Sequence, residues 1–272
     1  MIFKNYQDCL RLNCTPRGIA VICDLHLPLM DAVTFGSFCR ASAGAGLDTL
    51  IIAGDYFDQS AFSHWPSQDK IDWRDEQRMA ARVLRTLTGL FGSVVVLQGN
   101  HDVRKLRTVE YKETLRDVFL TLDVPLKNVQ VSDAPFCIVS SKIGDVMVSH
   151  PKSYSQIPGQ VARRLATKHQ MHQIVGHGHF SCLTYDASGR FVCMDIGGFP
   201  AYEKTPYVNQ HLTTHPLWVN GWASITPGGI ELVSYVRHGP LYGKQTPRPV
   251  QARGCENAQK CGGKSRKVSG HS

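Results

Sequence analysis

The chain has 272 residues, of which 42% are hydrophobic and 19% are charged, and its formal net charge is +8. This hydrophobic content suffices for a sizeable core, while no apolar run approaches the roughly 18 residues of a membrane helix. The first 17 residues lack the continuous apolar stretch of a secretory signal. The nine cysteines form no C-x-x-C pair, which favours buried thiols in a reducing compartment over disulfides. Composition thus disfavours membrane-spanning and disulfide-scaffold classes and predicts a cytoplasmic globular protein.

The positive charge is concentrated at the carboxyl end of the chain. From Lys244 to Ser272, seven lysines and arginines face one glutamate, so +6 of the +8 lies there and +2 remains for residues 1–243. The segment is rich in Gly, Pro, Ser, Gln and Lys, which is typical of disorder. We therefore expect one domain over residues 1–242 and a disordered basic tail over residues 243–272. The tail could bind nucleic acid or an acidic partner, or could act only as a solubilising terminus.

Hydrophobic spacing predicts helices early in the chain and short strands later. The segments from Phe35 to Leu47 and from Met79 to Phe91 place apolar residues on one face of a helix. Beyond residue 128 we expect strands over residues 129–131, 136–139, 146–148, 182–185 and 191–194, with hairpin turns at residues 187–189 and 227–229. Helical crossovers followed by hairpins indicate an α/β protein in which helices cover two packed sheets.

Five short polar blocks each follow a run of β-prone apolar residues. The runs cover residues 19–23, 50–53, 94–97, 146–148 and 174–175. Ligands of open α/β sheets bind where the strands end, so we expect the blocks to meet along one sheet edge. The blocks are Asp24-Leu25-His26, Gly54-Asp55-Tyr56-Phe57-Asp58, Gly99-Asn100-His101-Asp102, Ser149-His150 and Gly176-His177-Gly178-His179.

The donors in these blocks indicate a metal centre. Carboxylates, imidazoles and one amide without thiolate suit manganese, iron, zinc or nickel better than a structural zinc site of four cysteines. The donors exceed what one ion needs, whereas two ions roughly 3.5–4 Å apart, bridged by one carboxylate, would use nearly all of them. Such pairs of ions promote in-line displacement at phosphorus, so the chemistry predicts phosphate ester hydrolysis.

The order D-x-H, G-D-x-x-D, G-N-H-D, H and G-H-x-H resembles the signature of the calcineurin-like metallophosphoesterases. All five blocks stand in that order between Asp24 and His179, and the flanking residues are weakly similar to those of small phage and bacterial members. The resemblance implies a four-layer α/β/β/α sandwich with two divalent ions, manganese first among the candidates, at its edge. It implies that Asp55 bridges both ions, that the first is completed by Asp24, His26 and His179, and that the second is completed by Asn100, His150 and His177.

The resemblance also implies roles for residues beside the ligands. His101 resembles the imidazole that protonates the leaving oxygen or steadies the phosphoryl oxygens, with Asp102 as the group that fixes its ring. Asp58 could orient a ligand histidine or cap the segment that follows. Arg104 and His64 are candidates for substrate binding, against the alternatives of a surface salt bridge for Arg104 and a plain surface loop for His64.

The expected reaction is hydrolysis of a phosphate ester by in-line attack of a hydroxide that bridges the two ions. The basic tail favours a phosphodiester, either a nucleotide or a nucleic acid, over the alternative of a phosphomonoesterase or protein phosphatase. A catalytically silent scaffold of the same fold is the alternative from another class, which the presence of His101 and of every ligand disfavours. The sequence leaves open the physiological substrate, the native metal, the oligomeric state and the role of the tail.

Overall fold

The computed structural model describes residues 9–64, 70–205, 218–235 and 249–253. The helices within these ranges are α1 (Ala32–Gly44), α2 (Trp73–Leu90), α3 (Arg104–Thr108), α4 (Leu115–Leu120) and α5 (Gln160–His169), with short 3-10 turns at Ser60–Phe62 and Tyr202–Lys204. The strands are β1 (Leu10–Asn13), β2 (Ile19–Ile22), β3 (Thr49–Ala53), β4 (Ser93–Leu97), β5 (Val129–Val131), β6 (Phe136–Ser141), β7 (Gly144–Ser149), β8 (His172–Val175), β9 (Ser181–Tyr185), β10 (Val192–Ile196), β11 (Asn220–Thr226), β12 (Gly229–Tyr235) and β13 (Pro249–Arg253).

The strands form two mixed sheets. The first sheet has the strand order β1-β6-β7-β8-β10-β9, and the second has the order β13-β12-β11-β2-β3-β4-β5. Strands β2 to β5 run parallel in the second sheet, as β7 and β8 do in the first. Helices α1, α2 and α5 each form a crossover between parallel neighbours, and α3 and α4 together connect β4 to its parallel neighbour β5. Each group of parallel strands therefore ends at a common edge.

The residues of β2 show how the layers are arranged. Successive strand residues point to opposite faces, so Ala20 and Ile22 lie in a core shared with α1, α2 and α4, whereas Ile19 and Val21 lie in a core shared with the first sheet. A third apolar cluster packs α5 against the outer face of the first sheet. The layers are helix, sheet, sheet and helix, which confirms the predicted α/β/β/α sandwich.

Helices α1 and α2 both begin at an aspartate. The side chain of Asp31 accepts hydrogen bonds from the main-chain N–H groups of Val33 and Thr34, and that of Asp72 accepts one from the N–H of Arg74. These contacts satisfy donors that a helix start leaves unpaired. Helix α2 is strongly amphipathic, with its apolar side chains against the second sheet. Within the part of the chain that the structure describes, no helix combines the length and apolarity that a membrane span requires.

Most of the predicted elements are confirmed. The two helices predicted from apolar spacing correspond to α1 and α2, and both predicted hairpins join antiparallel pairs, β9 with β10 and β11 with β12. Helix α5 was not predicted, because it buries only Val161, Ala162 and Ala166. Strand β1 was missed as well, since none of its four residues is fully buried.

The tail predicted over residues 243–272 contains one strand. Strand β13 pairs antiparallel with β12 at the edge of the second sheet, and the rest of the tail lies outside the described residues. Edge pairing uses main-chain N–H and C=O groups, so a composition poor in apolar residues does not reveal it. Outside β13 the disorder of the tail stays a prediction, as does the domain boundary after residue 242.

Phe38 provides a test of the core between α1 and the second sheet. Its buried ring stacks on Phe91, with 6.1 Å between centroids, and meets Trp222 edge-on at 5.3 Å. We expect Phe38→Ala to lower the free energy of unfolding by about 3–5 kcal/mol, because it leaves a cavity. Val33→Ala, at an exposed position of the same helix, should change it by less than about 0.5 kcal/mol. Denaturant unfolding measures both, and equal effects would contradict this packing.

Candidate metal centre

The five polar blocks meet at one edge of the sandwich. In the second sheet, Asp24 follows β2, Asp55 follows β3 and Asn100 follows β4. In the first sheet, His150 follows β7 and His177 follows β8. Because these strands end at the same edge, donors far apart in the sequence become neighbours in space. Every block predicted to carry ligands contributes to this one cluster.

Five of the predicted ligands have a left-handed backbone. The φ angles are 51° at Asp24, 45° at His26, 51° at Asp55, 74° at His177 and 57° at His179. This conformation costs an L-residue roughly 1–2 kcal/mol. Such strain persists where the surrounding structure enforces it, and it is concentrated at functional sites. The sharp turns after the strands thus position ligands at a local cost in stability.

Two glycines allow the blocks to pack closely. Gly54 has a φ of +82°, and a Cβ at this position would lie 2.6 Å from the ring of His150. A Cβ at Gly99 would lie 2.1 Å from Oδ1 of Asp55. Both distances are well below van der Waals contact, so the glycines of the G-D and G-N blocks are sterically required.

Asp24, His26 and His179 form the first group of donors. Nε2 of His26 lies 3.3 Å from Nε2 of His179, and Oδ1 of Asp24 lies 3.2 Å from Nε2 of His179 and 3.6 Å from Nε2 of His26. That oxygen is buried and makes no well-aligned hydrogen bond, whereas Oδ2 accepts one from the N–H of His177 at 2.9 Å. One oxygen thus fixes the side chain, and the other is directed at the imidazoles.

Asp55, His150 and His177 form the second group, and Asn100 lies beside it. Nε2 of His150 is 3.3 Å from Oδ2 of Asp55 and 2.9 Å from Oδ1 of Asn100. Nδ1 of the same ring is hydrogen-bonded to the Ala53 carbonyl at 3.0 Å, which leaves Nε2 to face the cluster. The ring of His177 packs edge-on against that of His150, with 5.1 Å between centroids. All residues predicted for the second ion are therefore brought together.

Asp55 lies between the two groups. Its Oδ2 is 3.3 Å from Nε2 of His150 and 3.8 Å from Nε2 of His26, which belong to different groups. Its Oδ1 accepts a hydrogen bond from the N–H of His101 at 2.7 Å. This central position is the one that a bridging carboxylate requires.

The buried carboxylates favour positive charge at the histidine nitrogens. Burial alone would lower the pKa of His26 and His150, but Asp24 and Asp58 raise the pKa of His26 to about 10, and Asp55 and Asp24 raise that of His150 to about 9. Despite burial, the imidazoles hold the pKa of Asp24 and Asp55 well below the ordinary carboxyl value. The cluster is therefore electrostatically suited to cations.

The donor set fits metal ions by three independent features. The two groups each bring three His or Asp ligand atoms within 4.8 Å of one another. They offer nitrogen and oxygen without thiolate, which suits manganese, iron, zinc or nickel. Oδ1 of Asp24, a buried polar atom without a hydrogen-bond partner, lies in the first group. The described residues can thus hold metal, which agrees with the prediction of a metal site.

Asp58 binds two imidazoles at once. Its Oδ1 lies 3.1 Å from Nδ1 of His26 and 3.1 Å from Nδ1 of His101, and its main-chain oxygen also lies 3.1 Å from Nδ1 of His101. Although burial opposes it, pairing with the two rings keeps the pKa of Asp58 far below its usual value. The structure therefore places Asp58 against Nδ1 of His26, and its predicted support of a ligand histidine stays a prediction.

Asp102 fixes the backbone rather than the ring of His101, which corrects the predicted role. Its carboxylate accepts hydrogen bonds from the N–H groups of Asp55 (2.8 Å), Gly99 (2.9 Å) and Phe57 (3.0 Å). Burial, with the nearby charge of Asp55, raises the pKa of Asp102 to about 7. The prediction was wrong because it treated two sequence neighbours as spatial partners, whereas Asp58 is the carboxylate beside Nδ1 of His101.

Arg104 lies against His101 and also forms a salt bridge, since its Nη1 is 3.9 Å from Oδ2 of the buried Asp58. Its Nη2 donates to Nε2 of His101 at 3.1 Å, and its Nη1 donates to the main-chain oxygen of Asp58 at 2.8 Å. Because a guanidinium only donates, Nε2 of His101 is the acceptor and Nδ1 carries the proton. Burial lowers the pKa of His101, in agreement with a neutral ring.

The rim of the centre contains residues that the sequence analysis missed. The ring of Tyr154, an exposed residue, lies 6.3 Å from that of His177, and the ring of Trp218 lies 4.8 Å from that of His179. Neither residue belongs to a polar block, so nothing in the sequence indicated Trp218. For Tyr154 the only indication was its position four residues after His150. His64 is exposed in the bend after the turn Ser60–Phe62, and its part in substrate binding stays a prediction.

Comparison with known proteins gives only distant structural likenesses. No family model and no curated protein matches the chain. Vps29 of Chaetomium thermophilum is 11% identical, with 86% of this chain and 95% of that chain covered and a TM-score of 0.48. A zinc complex of Vps29 from Entamoeba histolytica is 13% identical (86% and 98% covered, TM-score 0.44), and the nuclease MPE of Pseudomonas putida is 17% identical (80% and 83% covered, TM-score 0.35).

These scores are too low to support an argument about activity. The resemblance to the calcineurin-like metallophosphoesterases rests on the layers and on the convergence of the five blocks. The architecture that the resemblance implied is present, and so is the cluster of donors at the edge of the sandwich. Substrate and metal identity are not determined by the likenesses.

Asp58→Asn tests the support that this carboxylate gives to His26. The amide keeps a similar shape but loses the charge that stabilises both imidazoles, so we expect metal affinity to fall by about 10- to 100-fold. Asp31→Asn is the matched control, because asparagine also serves as a helix cap. Calorimetric titration with manganese measures the affinity. Equal affinities for Asp58→Asn and the wild type would contradict the assigned support.

Proposed function

We propose that this chain is a phosphoesterase that depends on two divalent metal ions. The central position of Asp55, with Oδ2 at 3.3 Å from His150 and 3.8 Å from His26, is the observation that carries the proposal. A carboxylate between two groups of imidazoles is what a bridged pair of ions requires. In the proposal Asp55 would contribute to both ions. Asp24, His26 and His179 would hold the first ion, and Asn100, His150 and His177 would hold the second.

In the proposed reaction, the side chains of the protein position the metal ligands and the substrate and stabilise the charge that develops on the phosphate. When bound, two such ions polarise a phosphoryl oxygen and acidify a water, which supplies a nucleophile near neutral pH. Asn100 directs its Oδ1 toward the ring of His150, and its amide nitrogen can donate to a phosphoryl oxygen. Asp102 keeps the backbone of Asp55 and Gly99 in place, so the bridging carboxylate is held before substrate binds.

His101 and Arg104 act on the substrate side. A phosphoryl oxygen is a stronger partner for the guanidinium than a neutral imidazole nitrogen. In the proposal Arg104 therefore turns from Nε2 of His101 to the phosphate, and Nε2 becomes available to the leaving oxygen. The carboxylate of Asp58 at Nδ1 then favours uptake of a second proton from solvent at the vacated Nε2, and the imidazolium passes that proton to the leaving oxygen. In this proposal His101 protonates the leaving oxygen, and Arg104 binds the negatively charged phosphate.

The substrate class that we favour is a phosphodiester. A phosphomonoester brings a charge of about −1.5 to −2 at pH 7, whereas a diester brings a single negative charge. Among the described contacts, Arg104 is the one cationic side chain placed against His101. One guanidinium beside the metal centre matches the smaller charge. The surplus of positive charge on the chain also suits a polyanion such as nucleic acid.

Metal stoichiometry and hydrolysis test the proposal together. Protein reconstituted with manganese should retain two equivalents of metal and hydrolyse bis-p-nitrophenyl phosphate faster than the monoester. We expect His177→Ala to reduce the metal content to about one equivalent, because it removes a ligand of one ion only. His169→Ala, at the end of α5, is the control and should retain both. A single equivalent in the wild type would refute the pair of ions, and faster monoester hydrolysis would refute the preference for diesters.

His101→Ala separates an enzyme from a silent scaffold. Loss of the imidazole should lower kcat by about 10²- to 10⁴-fold, with metal content unchanged because His101 is not a ligand in the proposal. His169→Ala again serves as the control. Hydrolysis that is undetectable in the metal-loaded wild type would favour the scaffold, and an unchanged rate in His101→Ala would exclude the assigned role.

A further inference from the structure

A row of arginines lines a groove on the outer surface of α2. Arg74, Arg78, Arg82 and Arg85 are all exposed, and they border a groove of about 670 Å³. Gln77 and Thr121 complete the polar lining, and their side chains are hydrogen-bonded to each other at 2.8 Å across α2 and the segment after α4. The groove lies outside the metal centre and has no part in the proposed chemistry.

The spacing of the row follows from the helix. Arginines at intervals of four, four and three residues lie on one face, and the row from Arg74 to Arg85 extends about 16 Å at 1.5 Å per residue. A nucleic-acid strand carries one phosphate about every 3.4 Å along its axis. The arginines follow one another at about 4.5–6 Å along the helix axis, a wider spacing than that of the phosphates. The four guanidiniums can therefore contact phosphates spread along one strand rather than four successive ones, each through paired N–H donors.

Most of this charge is not neutralised by the protein. Arg78 is in an ion pair with Asp75, and Arg85 donates to the main-chain oxygen of Asp123, which leaves its charge uncompensated. Within the described ranges, no ion pair involves Arg74, Arg82 or Arg85. Exposed arginines that repel one another along a helix face cost stability, so a polyanionic ligand is the chemistry that this face fits.

The row begins beside the metal centre. The ring of Trp73 packs against that of Phe57 at 5.5 Å between centroids, and Oε1 of Glu76 accepts a hydrogen bond from the N–H of Gln59 at 2.8 Å. The first turn of α2 is thus attached to the segment that carries Asp58. As the crossover between β3 and β4, the helix then runs away from the edge that holds the ligands.

We infer that this face of α2, formed by Arg74, Arg78, Arg82 and Arg85, binds the sugar–phosphate backbone of a nucleic-acid strand whose neighbouring segment reaches the metal centre. The inference extends the proposed diester hydrolysis, since it gives that site a polymeric substrate. The contacts are to phosphates, so binding is independent of base sequence. Small diesters do not reach the row and do not need it.

The test compares two triple variants with equal loss of charge. Arg74→Gln/Arg82→Gln/Arg85→Gln removes the row, and Arg163→Gln/Arg164→Gln/Lys168→Gln removes three exposed cations from α5 in the opposite helix layer. Fluorescence anisotropy of the metal-loaded proteins measures binding of a labelled single strand of about 20 nucleotides with hydrolysis-resistant phosphorothioate linkages. Removing three phosphate contacts should reduce the slope of log K against log salt by about 2. The α2 variant should bind at least about 10-fold more weakly at 0.1 M salt, and the α5 variant like the wild type.

The outcomes separate this inference from the proposed function. Hydrolysis of bis-p-nitrophenyl phosphate should be the same in all three proteins, because none of the changed residues lies at the metal centre. Loss of strand binding in the α2 variant alone supports the inference even if no protein hydrolyses the small diester. Equal losses in both variants, or no loss in either, would overturn it. Stronger competition by polyglutamate than by an unlabelled strand would also overturn it and assign the row to an acidic peptide.

Discussion

The candidate metal centre depends on two carboxylates, Asp24 and Asp55. In each, one oxygen accepts a main-chain hydrogen bond and the other faces the histidine side chains. Asp24 accepts the N–H of His177 through Oδ2, and Asp55 accepts the N–H of His101 through Oδ1. The remaining oxygen of each carboxylate faces imidazole nitrogens of the cluster. Because Asp24 follows β2 and His177 follows β8, the first contact also joins the two sheets at their common edge. The hydrogen bond between Asp24 and His177 therefore positions two predicted ligands and joins the two sheets.

Such a cluster is costly to bury, although its carboxylates and imidazoles partly compensate one another. Several acidic and imidazole side chains are almost completely buried there, and a buried charge is costly unless it is paired. The left-handed backbone at five ligands adds to this cost. The apolar cores on both faces of the second sheet offset it. Metal that binds only the native state would stabilise the fold further by mass action.

The sequence predicted where the polar blocks lie, because that depends on where strands end. It did not predict which carboxylate contacts His101, because that depends on the direction of the side chains. Runs of apolar residues followed by Asp, Asn or His located every ligand block, because the end of a parallel strand determines which edge a residue reaches. Nothing in that pattern distinguishes Asp58 from Asp102 as the partner of His101. That choice follows from the turn after β3, which brings Asp58 beside two rings while Asp102 bonds to three N–H groups. Strand β13 was missed for a related reason, since edge pairing uses the backbone and leaves little trace in composition.

Helix α2 links the metal centre to the surface of the protein. Its buried face packs on the second sheet, and its first turn is attached to the Asp58 segment through Trp73 and Glu76. A crossover helix runs antiparallel to the strands that it connects, so it must start at the edge where they end. Any charged row on its exposed face therefore starts at the ligand edge and leads away from it. The topology that gathers the ligands also sets the direction in which a long polyanion bound there would continue, because the origin and the axis of α2 are both fixed by β3 and β4.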